Sequence, residues 1–258
     1  MYFENLVKDF SALPEIRAIA LGGSRAGGSF DEKSDYDLYL YCDRVPDEKT
    51  RRSILERHCT YMEISNRFWE LEDDCTFKDG VDIDILYRSL EDFERGLIDV
   101  VEQCHTYNAY TTCMWHNLLH SKILYDRDGA LSALKERFDV PYPEALRQNI
   151  IENHLKLLSG HLPSYDRQII KASERGDLVS VNHRAAAFLE TYFDLIFAVN
   201  RLTHPGEKRM IEYAVRNCAI LPDQLEENVT SLLHDLSASP DRVRDDLTLI
   251  LHDLQAIL

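Results

Sequence analysis

A chain of 258 residues can hold one large domain or two small ones, and its 45% hydrophobic and 29% charged residues are those of an ordinary soluble globular protein. Against 45 Asp and Glu there are 29 Lys and Arg, a formal charge of −16. So acidic a surface argues against nucleic acid as the main partner, since phosphate binding draws on Lys and Arg, and it suits a cationic small molecule better. The six cysteines (42, 59, 75, 104, 113 and 218) contain no C-x-x-C pair. They read as buried or free thiols of a reducing cytoplasm, not as a disulfide framework. No basic segment followed by an apolar core opens the chain, and no stretch approaches the ~20 apolar residues of a membrane span, so a cytoplasmic protein is expected.

In chain order, Phe3, Leu6, Val7 and Phe10 have the spacing of an amphipathic helix, which Pro14 stops. Ile16 to Leu21 is a short apolar run and predicts a strand. A glycine-rich turn follows, then a second strand from Tyr36 to Tyr41. A helix is expected over 47–58 with Asp47 as N-cap, a weak strand over 60–64, and an acidic loop over 68–79. Val81 to Tyr87 predicts a strand. Ser89, with Glu91 and Asp92 behind it, opens a helix expected to run to about Cys104. Beyond that point strand signals fade. Helices are expected over 112–123, 129–138, 143–159 and 178–202, the last apolar enough to be the centre of a bundle, and after Pro205, Pro222 and Pro240. The expected organisation is α+β: a mixed sheet with flanking helices over 1–105, then a helical bundle over 106–258.

The chemistry concentrates between Ala20 and Leu40. Gly22 and Gly23 let backbone approach a ligand closely, as a phosphate-binding loop requires. Asp35 and Asp37, two residues apart at the head of a strand, project to one face. Paired carboxylates repel unless a cation lies between them, and an all-oxygen donor set favours Mg²⁺. Asp82 and Asp84 repeat the pattern on the later strand. The glycines form neither a Walker loop, since no Gly-Lys-Ser/Thr follows, nor a dinucleotide-binding loop, whose spacing differs.

Leu21-Gly22-Gly23-Ser24, a ten-residue loop, then Asp35-Tyr36-Asp37-Leu38 resembles the signature of the nucleotidyltransferase superfamily, which includes DNA polymerase beta and the antibiotic-adenylylating enzymes. The family's third carboxylate lies in an apolar-Asp-apolar strand. Asp84 in Ile83-Asp84-Ile85 fits that position, with Asp82 the near alternative. A second resemblance covers most of residues 15–215. It rests on Tyr110-Thr111-Thr112, Trp115-His116-Asn117, Leu124-Tyr125-Asp126-Arg127-Asp128-Gly129 and the His204-Pro205-Gly206 turn. It is to a largely uncharacterised bacterial branch of nucleotidyltransferase-like proteins.

The resemblance implies that Asp35 and Asp37 bridge two Mg²⁺ ions and that Asp84 holds the one activating the acceptor hydroxyl. Gly22, Gly23, Ser24 and Ser34 would line the triphosphate site, with Arg25 or Lys33 against the leaving pyrophosphate. ATP would be the co-substrate, and a small-molecule hydroxyl, cationic and antibiotic-like, the acceptor. Transfer to a protein, as in toxin–antitoxin members, a catalytically silent nucleotide-binding module and a homodimer all stay open. The His204-Pro205-Gly206-Glu207-Lys208-Arg209 stretch reads equally as an anion site at a helix start or as a plain turn. His116, His120 and His154 are candidates for substrate contact. Asp73-Asp74 and Asp245-Asp246 read as solvated surface charge.

Overall fold

The computed structural model describes residues 2–26, 34–68 and 70–258, without the side chain of Ser24. The fold is α+β, as expected, and the chain divides into two compact units: Met1–Ile98 with Asn117–Val140, and Asp99–His116 with Pro141–Leu258. A single cut after residue 105 therefore differs from the observed division, because the chain returns to the first unit after Asn117.

The first unit runs α1 (Tyr2–Ser11), β1 (Ile16–Leu21), α2 (Gly23–Ala26), β2 (Tyr36–Cys42), α3 (Glu48–His58), β3 (Cys59–Asn66), β4 (Leu71–Phe77), β5 (Asp82–Ser89) and α4 (Leu90–Leu97). After α5 (Cys113–His120), β6 (Lys122–Asp126) and α6 (Ala130–Phe138) complete it. The six strands form one sheet in the order β3-β4-β5-β2-β1-β6. Among the described residues only β2 and β5 pair in parallel; the remaining neighbours are antiparallel. Side chains alternate across a pleated strand, so each strand carries two messages. Leu38, Leu40, Ile83 and Ile85, all 0% exposed, join Leu6 and Phe10 of α1 and Ile54 and Leu55 of α3 in one core. Each such side chain contributes roughly 1.5–3 kcal/mol by leaving water. The opposite face is left to Asp37, Tyr39, Asp84 and Arg88.

Two expected caps are present. Asp47 accepts from the Thr50 amide at 3.0 Å, and Ser89 from the Asp92 amide at 3.2 Å. Three expectations are corrected. The acidic stretch 68–79 is not a loop: Leu71–Phe77 is β4, hydrogen-bonded to strands on both sides. Its Asp73 is not solvated but fully buried against Arg51, the Tyr87 hydroxyl (2.8 Å) and the Ser65 amide (2.9 Å), which offset its charge. The helix expected over 112–123 stops at His120, and β6 follows as an edge strand against β1, so strands do not end near residue 100. The helix after Ser89 ends at Leu97 and passes into a π-helical turn, Ile98–Glu102.

The second unit contains α7 (Glu144–Leu158), α8 (Tyr165–Glu174), α9 (Leu178–Val199), α10 (Met210–Asn217), α11 (Leu225–Asp235) and α12 (Pro240–Gln255). Helix α9 is its centre, packed by α7 and α8, with Phe188, Tyr192, Leu195, Ile196 and Phe197 buried. Helix α8 escaped the sequence reading. Among the described residues no helix is long and apolar enough to cross a membrane, and none of the six cysteines is in a disulfide.

Candidate functional site

Strand β2 begins at Tyr36, so Asp35 stands just ahead of it and Asp37 is its second residue. The parallel register with β5 sets Asp37 directly beside Asp84, and the antiparallel register of β4 sets Asp74 on the other side of Asp84. Three carboxylate positions thus lie side by side across neighbouring strands. Burial first, then the negative charge of Asp74, Asp37, Asp35 and Glu72, raises the Asp84 carboxyl from 3.8 to about 6. That is the electrostatics of a site short of positive charge. Asp82 is different: it is exposed, and its carboxylate accepts from the Thr76 hydroxyl at 2.7 Å. Asp74, read from sequence as solvated charge, belongs to this cluster. The signal that could have found it is its alternation with Cys75 and Phe77, both buried.

The glycines lie against the same strand. The Gly22 amide donates to the Asp37 carbonyl at 2.8 Å, and a Cβ on Gly22 would sit 2.6 Å from the Tyr39 hydroxyl oxygen. Gly23 has φ +60, and a Cβ there would overlap the Asp37 carboxylate. Both positions exclude any larger residue on contact grounds, Gly23 on backbone grounds as well. The one-turn helix α2 follows, its Ala26 amide closing on the Gly22 carbonyl at 3.2 Å.

Arg25 is engaged from within the loop. Its guanidinium donates to the Ser34 carbonyl (2.8 and 2.5 Å) and the Asp35 carbonyl (3.1 Å) and lies 3.9 Å over the Tyr36 ring. It ties the start of the loop to the strand that carries the aspartates. Ser34 contributes its carbonyl to that tie. Lys33 and the side chain of Ser24 lie outside the described residues.

A divalent cation has suitable donors here: hard carboxylate oxygens, with the Asp84 pKa raised by burial and then by neighbouring carboxylates. Among the described residues, however, no three His, Cys, Asp or Glu side chains are gathered closely enough to hold a metal ion as they stand.

The histidine candidates fall in other places. In the second unit, fully buried His154 bonds Asp194 at 2.8 Å through Nε2, and His116 bonds the Thr203 hydroxyl at 2.7 Å. His120 is exposed. His204 is fully buried, its amide donating to the Thr112 hydroxyl and its Nδ1 accepting from the Gly206 amide at 3.1 Å. The turn is therefore built around the imidazole, and Arg209, at φ 54, precedes α10.

A family model described as a domain of unknown function, DUF4037, matches residues 110–210. No curated relative matches the chain. Among solved structures, the chain is similar to a nucleotidyltransferase-like protein from Exiguobacterium sibiricum at 14% identity, covering 99% of this chain and 73% of that one, TM-score 0.43. An aminoglycoside 6-adenyltransferase from Bacillus subtilis matches at 10% identity over 98% and 89% of the two chains, TM-score 0.30. A spectinomycin adenyltransferase from Enterococcus faecialis, solved with ATP and spectinomycin, matches at 10% identity over 98% of both chains, TM-score 0.31.

Proposed function

We propose that this protein is a metal-dependent nucleotidyltransferase that moves an NMP, AMP from ATP, onto a hydroxyl of a small cationic acceptor. The observation that carries the reading is the register of Asp37 beside Asp84 on parallel strands, with the glycine turn bonded to the Asp37 carbonyl. This is the signature's spacing turned into proximity. Asp35, Asp37 and Asp84 would hold Mg²⁺, which when bound offsets their charge and polarises the reacting phosphate. The amides of Gly23 and Ser24 would face the triphosphate, since the Gly22 amide already donates to the Asp37 carbonyl. Arg25 holds the returning loop so that Asp35 and Asp37 stay in place. Asp84, whose carboxyl is raised to about 6 by burial and its acidic neighbours, would be ionised at neutral pH and so able to hold the cation and orient the attacking hydroxyl. The acidic surface supports a cationic acceptor.

The test is incubation with α-phosphate-labelled ATP and Mg²⁺ against aminoglycosides, spectinomycin, lincosamides and a set of proteins. The expected result is label on a small cationic compound and release of pyrophosphate. Label on a protein moves the acceptor class. Absence of transfer, with no Mg²⁺-dependent ATP binding, rejects the enzyme reading.

A further inference from the structure

The face of the sheet that carries Asp37 and Asp84 continues, two residues along each strand and beyond, into a second group of side chains. Tyr39 of β2 is 7% exposed and Arg88 of β5 is 8% exposed. The Arg88 guanidinium lies 4.1 Å over the Tyr39 ring. It is itself gripped by Glu70, through two bonds of 2.7 Å, and donates to the Asn117 side-chain oxygen at 2.9 Å. The ring is thus held on its face by Arg88. Its edge occupies the volume a Cβ at Gly22 would need, 2.6 Å from the hydroxyl oxygen and 2.7 Å from Cζ.

The Glu70 side chain is 25% exposed, so solvent screens its attraction to Arg88 and the pair adds little net stability. What this pair does supply is immobility of Tyr39. The Gly22 amide is bonded to the Asp37 carbonyl, and the Tyr39 ring fills the space where a Cβ on Gly22 would stand. We propose that Tyr39 and Arg88 are positioning residues for the nucleotide: Tyr39, clamped by Arg88, sets the height of the glycine turn over Asp37. The proposal rests on the nucleotidyl-transfer reading. Loosening the ring leaves every carboxylate in place and lets the turn shift, so nucleotide binding suffers before the chemical step does.

The experiment is steady-state kinetics with the full chain on Tyr39→Phe, Tyr39→Leu, Arg88→Lys, Gly22→Ala and the double variant Gly22→Ala/Tyr39→Leu, with melting temperatures for each. Tyr39→Leu and Arg88→Lys are expected to raise KM for ATP about tenfold while kcat and the acceptor KM change less than about threefold. Tyr39→Phe keeps the stacked ring and stays within about threefold of wild type in all parameters. Gly22→Ala loses activity, and adding Tyr39→Leu restores part of it and raises the melting temperature, because the clash is with the ring. An unchanged ATP KM in Tyr39→Leu overturns the proposal. So does a uniform loss in every parameter that tracks melting temperature, or a double variant no better than Gly22→Ala. Wild-type protein that transfers no nucleotide overturns the functional reading and this inference together; active wild type with an unshifted Tyr39→Leu overturns the inference alone.

Discussion

At the scale of single residues, carboxylates of like sequence are sorted by what surrounds them. Asp82 and Asp84 share a face and a strand, yet only Asp84 lies beside Asp37 and is pushed up to about 6 by burial and its acidic neighbours. Asp84→Asn is accordingly expected to cut nucleotidyl transfer by at least about 10³-fold, while Asp82→Asn stays within about tenfold. Initial-rate assays at saturating ATP and Mg²⁺ decide between them. His204 gives a pH prediction. Burial lowers its pKa from 6.5 to about 4, and Asp194 and Glu207 only partly oppose this. The unfolded chain therefore binds more protons than the folded one between those two values. Stability is full above pH 6.5 and falls as pH drops toward 4, by about 3 kcal/mol from this one group. Urea midpoints measured from pH 7.5 to 4.5 are expected to decline, and His204→Phe to flatten that decline.

Within single elements, β4 shows how a charged run becomes a central strand. Its residues alternate as any strand does, with Cys75 and Phe77 on the core face and Glu72 and Asp74 on the other. Asp73 shares the core face and is tolerated because Arg51, Tyr87 and Ser65 satisfy its oxygens. Removing one partner leaves a buried charge uncompensated, so Asp73→Ala is expected to cost about 3–5 kcal/mol. The pair Arg51→Met/Asp73→Leu is expected to cost less than Asp73→Ala alone, read from chemical denaturation. The alternation of β4 was written in the sequence; its significance was masked because acidic runs are usually solvated. Strand β6 was illegible for a different reason. Lys122–Asp126 has little exposure contrast between its faces, since an edge strand is half-buried on both, and period alone does not separate it from the end of α5.

For the molecule as a whole, the return of the chain into the first unit matters most. Strand β1 pairs with β2 on one side and β6 on the other, so a fragment ending at residue 105 bares a long row of unpaired backbone groups on β1. Such a 1–105 fragment is expected to aggregate, whereas a 1–140 fragment, which keeps β6 and α6, is expected to show dispersed amide resonances. Solubility and two-dimensional NMR of the two fragments check this. The net charge of −16 favours solubility of the intact chain and says nothing about its fold.

The sequence by itself determined the strand Ile16–Leu21 and a strand over Val81 to Tyr87 (observed as Asp82–Ser89), the capped starts of α3 and α4, the long central helix α9, and the glycine-to-aspartate spacing around Asp35 and Asp37. These are local properties, set by periodicity, capping and backbone freedom within a few residues. Only the tertiary structure decided that Asp84 rather than Asp82 stands beside Asp37, that Asp74 joins them, that Arg25 binds its own loop, and that β6 closes the sheet. Each of these depends on strand register and on contacts between residues far apart in sequence, which no local pattern encodes.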